Sequence, residues 1–312
     1  MSLPFSVLSL SLWEHNTQSF VKKLGHNFQS SGFCGLIDHT IEEKLIDEVI
    51  EISRKFFSLP DNVKMKYFEP VLGGARGYTP IKIETPKGGY DADIKEFWQT
   101  GRVLSRGHRL EKWMPPNKWA EEIPYFKEKM SELFSQFDKL GKTLLQAVAL
   151  FLDLEKNYFE EIVSEGNNVM RSIHYPPIKQ DELGERSGAH EDINLITLLV
   201  GGHQPGLQIY SKKKGWESAD QKRGIIICNI GDMLQRFTNH KLVSTTHRVV
   251  NPFGKLRTKS RFSIPYFVHP NPDWFLETLD SCCTEDNPKR YEEGILSEDY
   301  LQERLKEIKL IK

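Results

Sequence analysis

Hydrophobic positions in the first half of the chain recur at helical spacing. Phe20, Val21, Leu24 and Phe28 share one face of the segment Thr17 to Ser30, which predicts an amphipathic helix there. Thr40-Ile41-Glu42-Glu43 has the form of a capping box, in which hydroxyl and carboxylate satisfy orphan amides reciprocally. Leu45, Ile46, Val49, Ile50 and Phe56 then keep helical spacing until Leu59-Pro60 stops the helix. Between these two helices the apolar run SGFCGLIDH predicts a strand. Residues 70–119 are rich in Gly and Pro and predict loops with short strands. A long helix is predicted from Pro124 to Leu152, with Leu133, Phe134, Phe137, Leu140, Leu144, Leu145 and Val148 on one stripe. Pro124 is expected in its first turn, where the missing amide costs nothing.

Past about residue 166 the pattern changes to short β-rich runs. Ile193–Val200, Leu207–Tyr210, Ile225–Asn229, Val243–Val250 and Phe262–Val268 are the predicted strands, punctuated by Gly, Pro, Asn and Asp. That spacing suggests an antiparallel sandwich or barrel. Lys212-Lys213-Lys214 before Gly215 reads as a hairpin tip. The tail SEDYLQERLKEI predicts a final amphipathic helix with Ser297 as its cap. No repeat or low-complexity stretch is present.

Composition narrows the class. The 312 residues suffice for one large domain or two small ones, with 38% hydrophobic and 27% charged residues, as in ordinary globular proteins. The 42 basic and 43 acidic side chains nearly cancel, which argues against a nucleic-acid partner. No apolar run is long enough to span a membrane. The start, MSLPFSVLSLSLWEH, lacks the basic region of a secretory signal. Cys34, Cys228, Cys282 and Cys283 form no CxxC pair and are expected as reduced thiols in a cytoplasmic protein. The adjacent pair Cys282-Cys283 is read as packed or surface thiols.

The candidate chemistry starts at His190-Glu191-Asp192. On a strand, residues two apart share a face, so His190 and Asp192 can reach one ion while Glu191 turns away. A third ligand is available in His247, within STTHRVVNP, 57 residues after His190. Two imidazoles and one carboxylate make a facial triad that leaves metal positions open. Arg261 and Ser263, in RFS, again share a strand face. Arg261 follows His247 by 14 residues, enough for a turn and the return strand of a hairpin. A guanidinium is the natural fork for a carboxylate.

These residues carry a resemblance. GAHEDINLITLLVGG, GLQIY, NIGDMLQRFTNH, STTHRVVNP and RFSIPYFVHP resemble, in order and spacing, the isopenicillin N synthase-like family of Fe(II)/2-oxoglutarate oxygenases. SSGFCGLIDHTI and RKFFSLPDNVKMKY resemble its N-terminal region, and SEDYLQERLKEI its C-terminal helix. The resemblance covers nearly the whole chain. It implies a mainly β core, a double-stranded β-helix or jelly roll, with a helix-rich N-terminal region and a C-terminal helix. It implies His190, Asp192 and His247 as catalytic iron ligands, Arg261 and Ser263 as binders of the distal carboxylate of 2-oxoglutarate, and Tyr175, in RSIHYPP, as an assisting phenol. Many plant members carry Asn two residues before that Tyr, where this chain has Ile173. The implied reaction couples decarboxylation of 2-oxoglutarate to succinate and CO2 with O2-dependent oxidation of a C–H bond, hydroxylation by default. The charges of Fe(II), Asp192, Arg261 and 2-oxoglutarate cancel, so without co-substrate an open or hydrated pocket is expected. An oxidase of the same family that does not use 2-oxoglutarate, a catalytically silent sensor, and a cupin-like enzyme with another metal fit the same residues.

The resemblance divides the chain into an N-terminal region at 1–120, a scaffold helix and linker at 121–165, the jelly-roll core at 166–271 and a C-terminal extension at 272–312. A monomer or weak homodimer is expected, acting on a small molecule, with an amino acid or other carboxylate preferred. Arg76, Tyr78, Lys82 and Arg102 lie where the family gathers substrate contacts, and one or more could bind an acidic group. Asn229, Gly231 and Asp232 are read as a turn between strands. His174, His203, His240 and His269 are read as surface or packing residues, and Trp98, Trp113 and Trp119 as packing.

Overall fold

The longest element is a helix of 26 residues, Phe126–Phe151, and its buried stripe is the floor on which the main sheet lies. The computed structural model describes residues 3–85, 91–179, 184–201, 204–220 and 222–310. Its strands are β1 (Val7–Ser9), β2 (Phe33–Ile37), β3 (Gly77–Thr79), β4 (Glu96–Gly101), β5 (Val169–Tyr175), β6 (Ser187–His190) and β7 (Ile196–Gly201). They continue with β8 (Leu207–Ser211), β9 (Gly215–Ser218), β10 (Ile226–Ile230), β11 (His247–Val249), β12 (Arg261–Val268), β13 (Phe275–Leu276) and β14 (Ile295–Leu296). The helices are α1 (Ser11–His15), α2 (Thr17–Ser30), α3 (Glu43–Phe57), α4 (Asp61–Lys64), α5 (Phe126–Phe151), α6 (Asp232–Phe237) and α7 (Ser297–Glu307).

Eight strands form the major sheet, in the order β1-β2-β10-β7-β12-β5-β4-β3, and four form the minor one, β6-β11-β8-β9. The two sheets face each other across a cavity as a double-stranded β-helix. Period-two alternation sorts the major sheet. Ile264, Tyr266 and Val268 of β12 join the core made with α2, α3 and α5, as do Ile196, Leu198 and Val200 of β7. Arg261, Ser263, Pro265 and Phe267 of β12, and Thr197 and Leu199 of β7, line the cavity instead. A second apolar cluster, including Phe33, Phe97, Leu207, Ile209 and Val249, closes one part of the space between the sheets.

Several boundaries differ from expectation, each for a local reason. The capping box does not form: α3 starts at Glu43 behind Glu42, with no side-chain cap bond. Pro124 lies outside α5, whose cap is the left-handed Tyr125. Ser297 is the first residue of α7, and its hydroxyl donates to the Asn271 and Pro272 carbonyls rather than capping the helix. The run Val243–Val250 is strand only at His247–Val249. β11 and β12 are not a hairpin but lie in different sheets, because a jelly roll passes its chain from one sheet to the other. β5 shows no clean alternation in the sequence: both its faces are covered and both carry polar residues, Arg171 on one and Ser172 and His174 on the other. Lys212, Lys213 and Lys214 do turn between β8 and β9, and all four cysteines are free thiols. No helix is long and apolar enough to cross a membrane among the described residues.

Phe56 of α3 is fully buried and packs against Phe57, Tyr67, Tyr78, Trp98 and Phe126. Phe56→Ala is expected to destabilise the fold by about 3–5 kcal/mol, the usual cost of emptying an aromatic core position. Val71→Ala, at a position 91% exposed, should change it by less than about 0.5 kcal/mol. Urea unfolding monitored by circular dichroism measures both.

Candidate active site

His190 and His247 are direct cross-strand partners of β6 and β11, and this register stacks their rings with centroids 4.4 Å apart. β6 ends at His190, so Asp192 reaches the same point from the turn that follows, not from a shared strand face. That turn is pinned by the Asp232 amide, which donates to the Asp192 carbonyl. Asp192 Oδ1 lies 3.9 Å from His190 Nε2 and 3.7 Å from His247 Nε2. Glu191 is exposed, and its carboxylate accepts from Thr246 Oγ1.

Each donor is oriented by a second contact. His190 Nδ1 lies 2.8 Å from the Gly188 carbonyl and His247 Nδ1 3.1 Å from the Thr245 carbonyl. A carbonyl only accepts, so both Nδ1 atoms carry the proton and both Nε2 lone pairs face Asp192. Asp192 Oδ2 accepts from Thr197 Oγ1 and Asn229 Nδ2, each at 2.7 Å, which leaves Oδ1 free to turn inward. Burial pushes the Asp192 carboxyl up, but His247, His190 and these two hydrogen bonds outweigh it and hold it below its ordinary range. Burial and the neighbouring His247 push His190 down to about 4, so its imidazole is neutral and available as a ligand. An ion about 2.0–2.2 Å from each donor needs them within about 4.4 Å of one another. The three ligand atoms lie within 4.8 Å, so a small side-chain adjustment suffices and the donor set fits a divalent iron.

The triad opens into a cavity of about 390 Å³ that Tyr175, Arg261 and Ser263 also line. Arg261 pairs with Tyr175 across β12 and β5, and its guanidinium lies 5.0 Å from the phenol ring. Arg261 is 3% exposed; its Nη1 has no partner among the described residues, and burial lowers its pKa. A buried cation without an anion is costly, so this pocket fits the distal carboxylate of a 2-oxo diacid. Ile173, beside Tyr175, presents only an apolar surface there.

Comparison with known families agrees with this geometry. Residues 4–122 match the family described as non-haem dioxygenase in morphine synthesis, N-terminal, and residues 166–270 match the 2OG-Fe(II) oxygenase superfamily. A 2-oxoglutarate-Fe(II) type oxidoreductase, hxnY, of Emericella nidulans is 30% identical over 87% of this chain and 80% of its own. The chain belongs to the Fe(II)/2-oxoglutarate-dependent oxygenases. A 2OG-Fe(II) oxygenase family protein from Caulobacter crescentus is 42% identical, with a TM-score of 0.91 over 98% of this chain and 100% of that one. A Neurospora crassa protein solved in complex with alpha-KG and thymine is 29% identical, with a TM-score of 0.85 over 97% of each chain. The enzymes of this family use Fe(II), 2-oxoglutarate and O2, and this oxygenase does likewise.

Other residues fall differently from expectation. Asn229 is no turn residue: it sits in β10 and donates to Asp192. A lone polar side chain in the buried run IICNI was the available signal, since such a group needs a partner. Gly231 caps α6 and Asp232 is that helix's first residue. Of the candidate substrate contacts, Arg76 lines the cavity, whereas Tyr78 donates to Glu96 in the core, Arg102 pairs with Asp138, and Lys82 is exposed. His174 packs on Phe57 and Phe262, His240 stacks on Tyr291, and His203 lies outside the described residues. His269 and Trp113 line the cavity rather than merely packing. Trp98 and Trp119 do pack in or on the core.

No sequence motif pointed to the charged wall opposite. Lys95 Nζ lies 2.7 Å from Glu84 and 2.6 Å from Asp93, and Asp93 also accepts from the Gly188 amide beside His190. Burial raises Glu84, but Lys95 and Arg171 outweigh it and hold it at about 2 against an ordinary 4.5. A depressed folded pKa contributes stability above the unfolded value and loses it as pH falls toward the folded one. Glu84→Gln is therefore expected to cost about 3 kcal/mol at pH 7, at about 1.4 kcal/mol per pH unit. The deficit should shrink as pH falls from 4.5 toward 2; urea midpoints of both proteins across that range measure it.

Proposed function

We propose that His190, Asp192 and His247 hold the iron, that Arg261 and Ser263 bind the distal carboxylate of 2-oxoglutarate with help from Tyr175, and that the outcome is hydroxylation of a small molecule. The observation that carries this reading is the convergence of two neutral imidazoles and one ionised carboxylate in a cavity that also holds an unpartnered, buried guanidinium. Bound there, Fe(II) with 2-oxoglutarate and O2 supplies the oxidising power that breaks a C–H bond, with succinate and CO2 formed from the co-substrate.

The chain's own residues do the rest. Asp192 brings one negative charge to the metal, and Thr197 and Asn229 keep its other oxygen occupied, so a single oxygen faces inward. The Gly188 and Thr245 carbonyls fix both imidazole tautomers. Arg261 orients the co-substrate by its far end, and the walls of the two sheets exclude water. The four free cysteines and the near-balanced charge support a cytoplasmic enzyme, monomeric or weakly dimeric, with no nucleic-acid or membrane partner. The regions 1–120, 121–165, 166–271 and 272–312 are proposed as its N-terminal, scaffold, core and C-terminal parts.

His190→Ala and Asp192→Ala are expected to abolish turnover and Fe(II) binding while leaving the circular dichroism spectrum intact. Glu191→Ala, at an exposed position, should retain iron. Equal iron loss in all three variants, by anaerobic metal titration, would contradict the assignment.

Arg261→Ala leaves a carboxylate unpaired, which typically costs about 3–5 kcal/mol, or a loss of roughly 10²- to 10³-fold or more in 2-oxoglutarate affinity. Arg261→Lys should rescue it only in part, because an ammonium lacks the planar fork. Ser263→Ala should cost about 1–3 kcal/mol. The measurement is an anaerobic 2-oxoglutarate titration of the Fe(II) protein, following the chelate's charge-transfer band. Unchanged affinity in Arg261→Ala would sink the co-substrate assignment.

A further inference from the structure

The end of the cavity remote from Arg261 holds a second buried guanidinium with nothing to neutralise it. Alternate residues of β12, from Arg261 through Ser263, Pro265 and Phe267, line the cavity, and His269 continues the same row. Eight residues of extended chain span about 26 Å, so Arg261 and His269 mark opposite ends. Arg76 belongs to the His269 end: its charge acts on His269, and its guanidinium lies flat over Gly101 at the end of β4. A Cβ at residue 101 would come 2.0 Å from Arg76 Cζ, so glycine there is what lets the cation lie down.

Arg76 is 2% exposed. Its Nη1 donates to the Ala75 carbonyl, while Nε and Nη2 have no partner among the described residues. Those two N–H groups form one edge of the guanidinium, the edge that grips both oxygens of a carboxylate side-on. The other buried cations of the wall are matched: Lys95 by Glu84 and Asp93, and Arg171 by Glu84. Asn167 Oδ1 and His269 Nδ1 also line this end without partners, and burial and Arg76 keep His269 neutral at about 4. One uncompensated positive charge with two neutral hydrogen-bonding groups is therefore left facing the substrate space.

We propose that the primary substrate is a carboxylate-bearing small molecule whose acid group is held side-on by Arg76, with Asn167 and His269 beside it. This inference rests on the reading of the triad and Arg261 given above and names the substrate class for that site. It requires the acid to be recognised at one end while the C–H bond to be oxidised lies toward the triad.

The probe is a panel of small amino, hydroxy and unsubstituted carboxylic acids, each paired with its primary amide. The Fe(II) protein is loaded with 2-oxoglutarate without oxygen, and binding is read as thermal stabilisation and as perturbation of the charge-transfer band. Succinate formation is then measured in air. Acids are expected to bind about 100-fold or more tightly than their amides, the discrimination expected when a guanidinium pair is lost. Arg76→Gln should remove that preference, and Gly101→Ala should weaken it by displacing the guanidinium without removing its charge. Arg76→Met should raise the melting temperature of the substrate-free protein, since it removes an unneutralised buried cation. The inference is overturned if no acid in the panel outperforms its amide, if the preference survives Arg76→Gln, or if Arg76→Met lowers the melting temperature. A wild-type protein that shows the charge-transfer band but no acid preference would refute this inference alone; absence of the band would instead refute the reading of the site beneath it.

Discussion

The structure depends on a sheet that is buried on both faces but by two different chemistries. One face of the eight-stranded sheet packs on α2, α3 and α5 and is almost wholly apolar. The other lines a cavity and carries Thr197, Asn229, Arg171, Arg261 and Ser263. A strand can serve both faces because successive side chains point in opposite directions. The apolar face supplies the transfer free energy that holds the sheet together. That support lets the opposite face hold polar and charged groups that contribute little stability of their own.

Within the cavity the governing constraint is charge matching. Lys95, Glu84, Asp93 and Arg171 neutralise one another and brace β6, through Asp93 and the Gly188 amide, where His190 is presented. Asp192 is kept ionised by two imidazoles and two hydrogen-bond donors. Against these closed networks Arg261 and Arg76 stand out, because each is buried and each retains unpartnered N–H groups. Evolution tolerates such cost at functional sites, where a ligand completes the pairing. In the proposed reading, the triad, a cation for the co-substrate and a cation at the far end divide one continuous space into three tasks.

Much of this was legible in the sequence. Helical periodicity located α2, α3 and α5, because each helix is amphipathic against a single core. The order of His190, Asp192, His247, Arg261 and Ser263 along the chain was enough to group them, since each lies in or beside a short strand run. The connection from β11 to β12 was not legible, because spacing alone does not say whether 14 residues return within one sheet or cross to another. Nor was β5, whose mixture of polar and apolar residues on two covered faces erases the period.

Residue types and the local elements that carry them are written along the chain. Which of those residues meet is settled only when the sheets close. Asn229 looks like a turn former until β10 is laid beside β7, which brings it to Asp192 across 37 residues. Arg76 looks like any loop arginine until β4 presents a glycine beneath it and leaves one edge of its guanidinium open. The physical reason is the same in both cases. Side-chain identity is local, but burial and pairing are properties of what the rest of the chain places around a group.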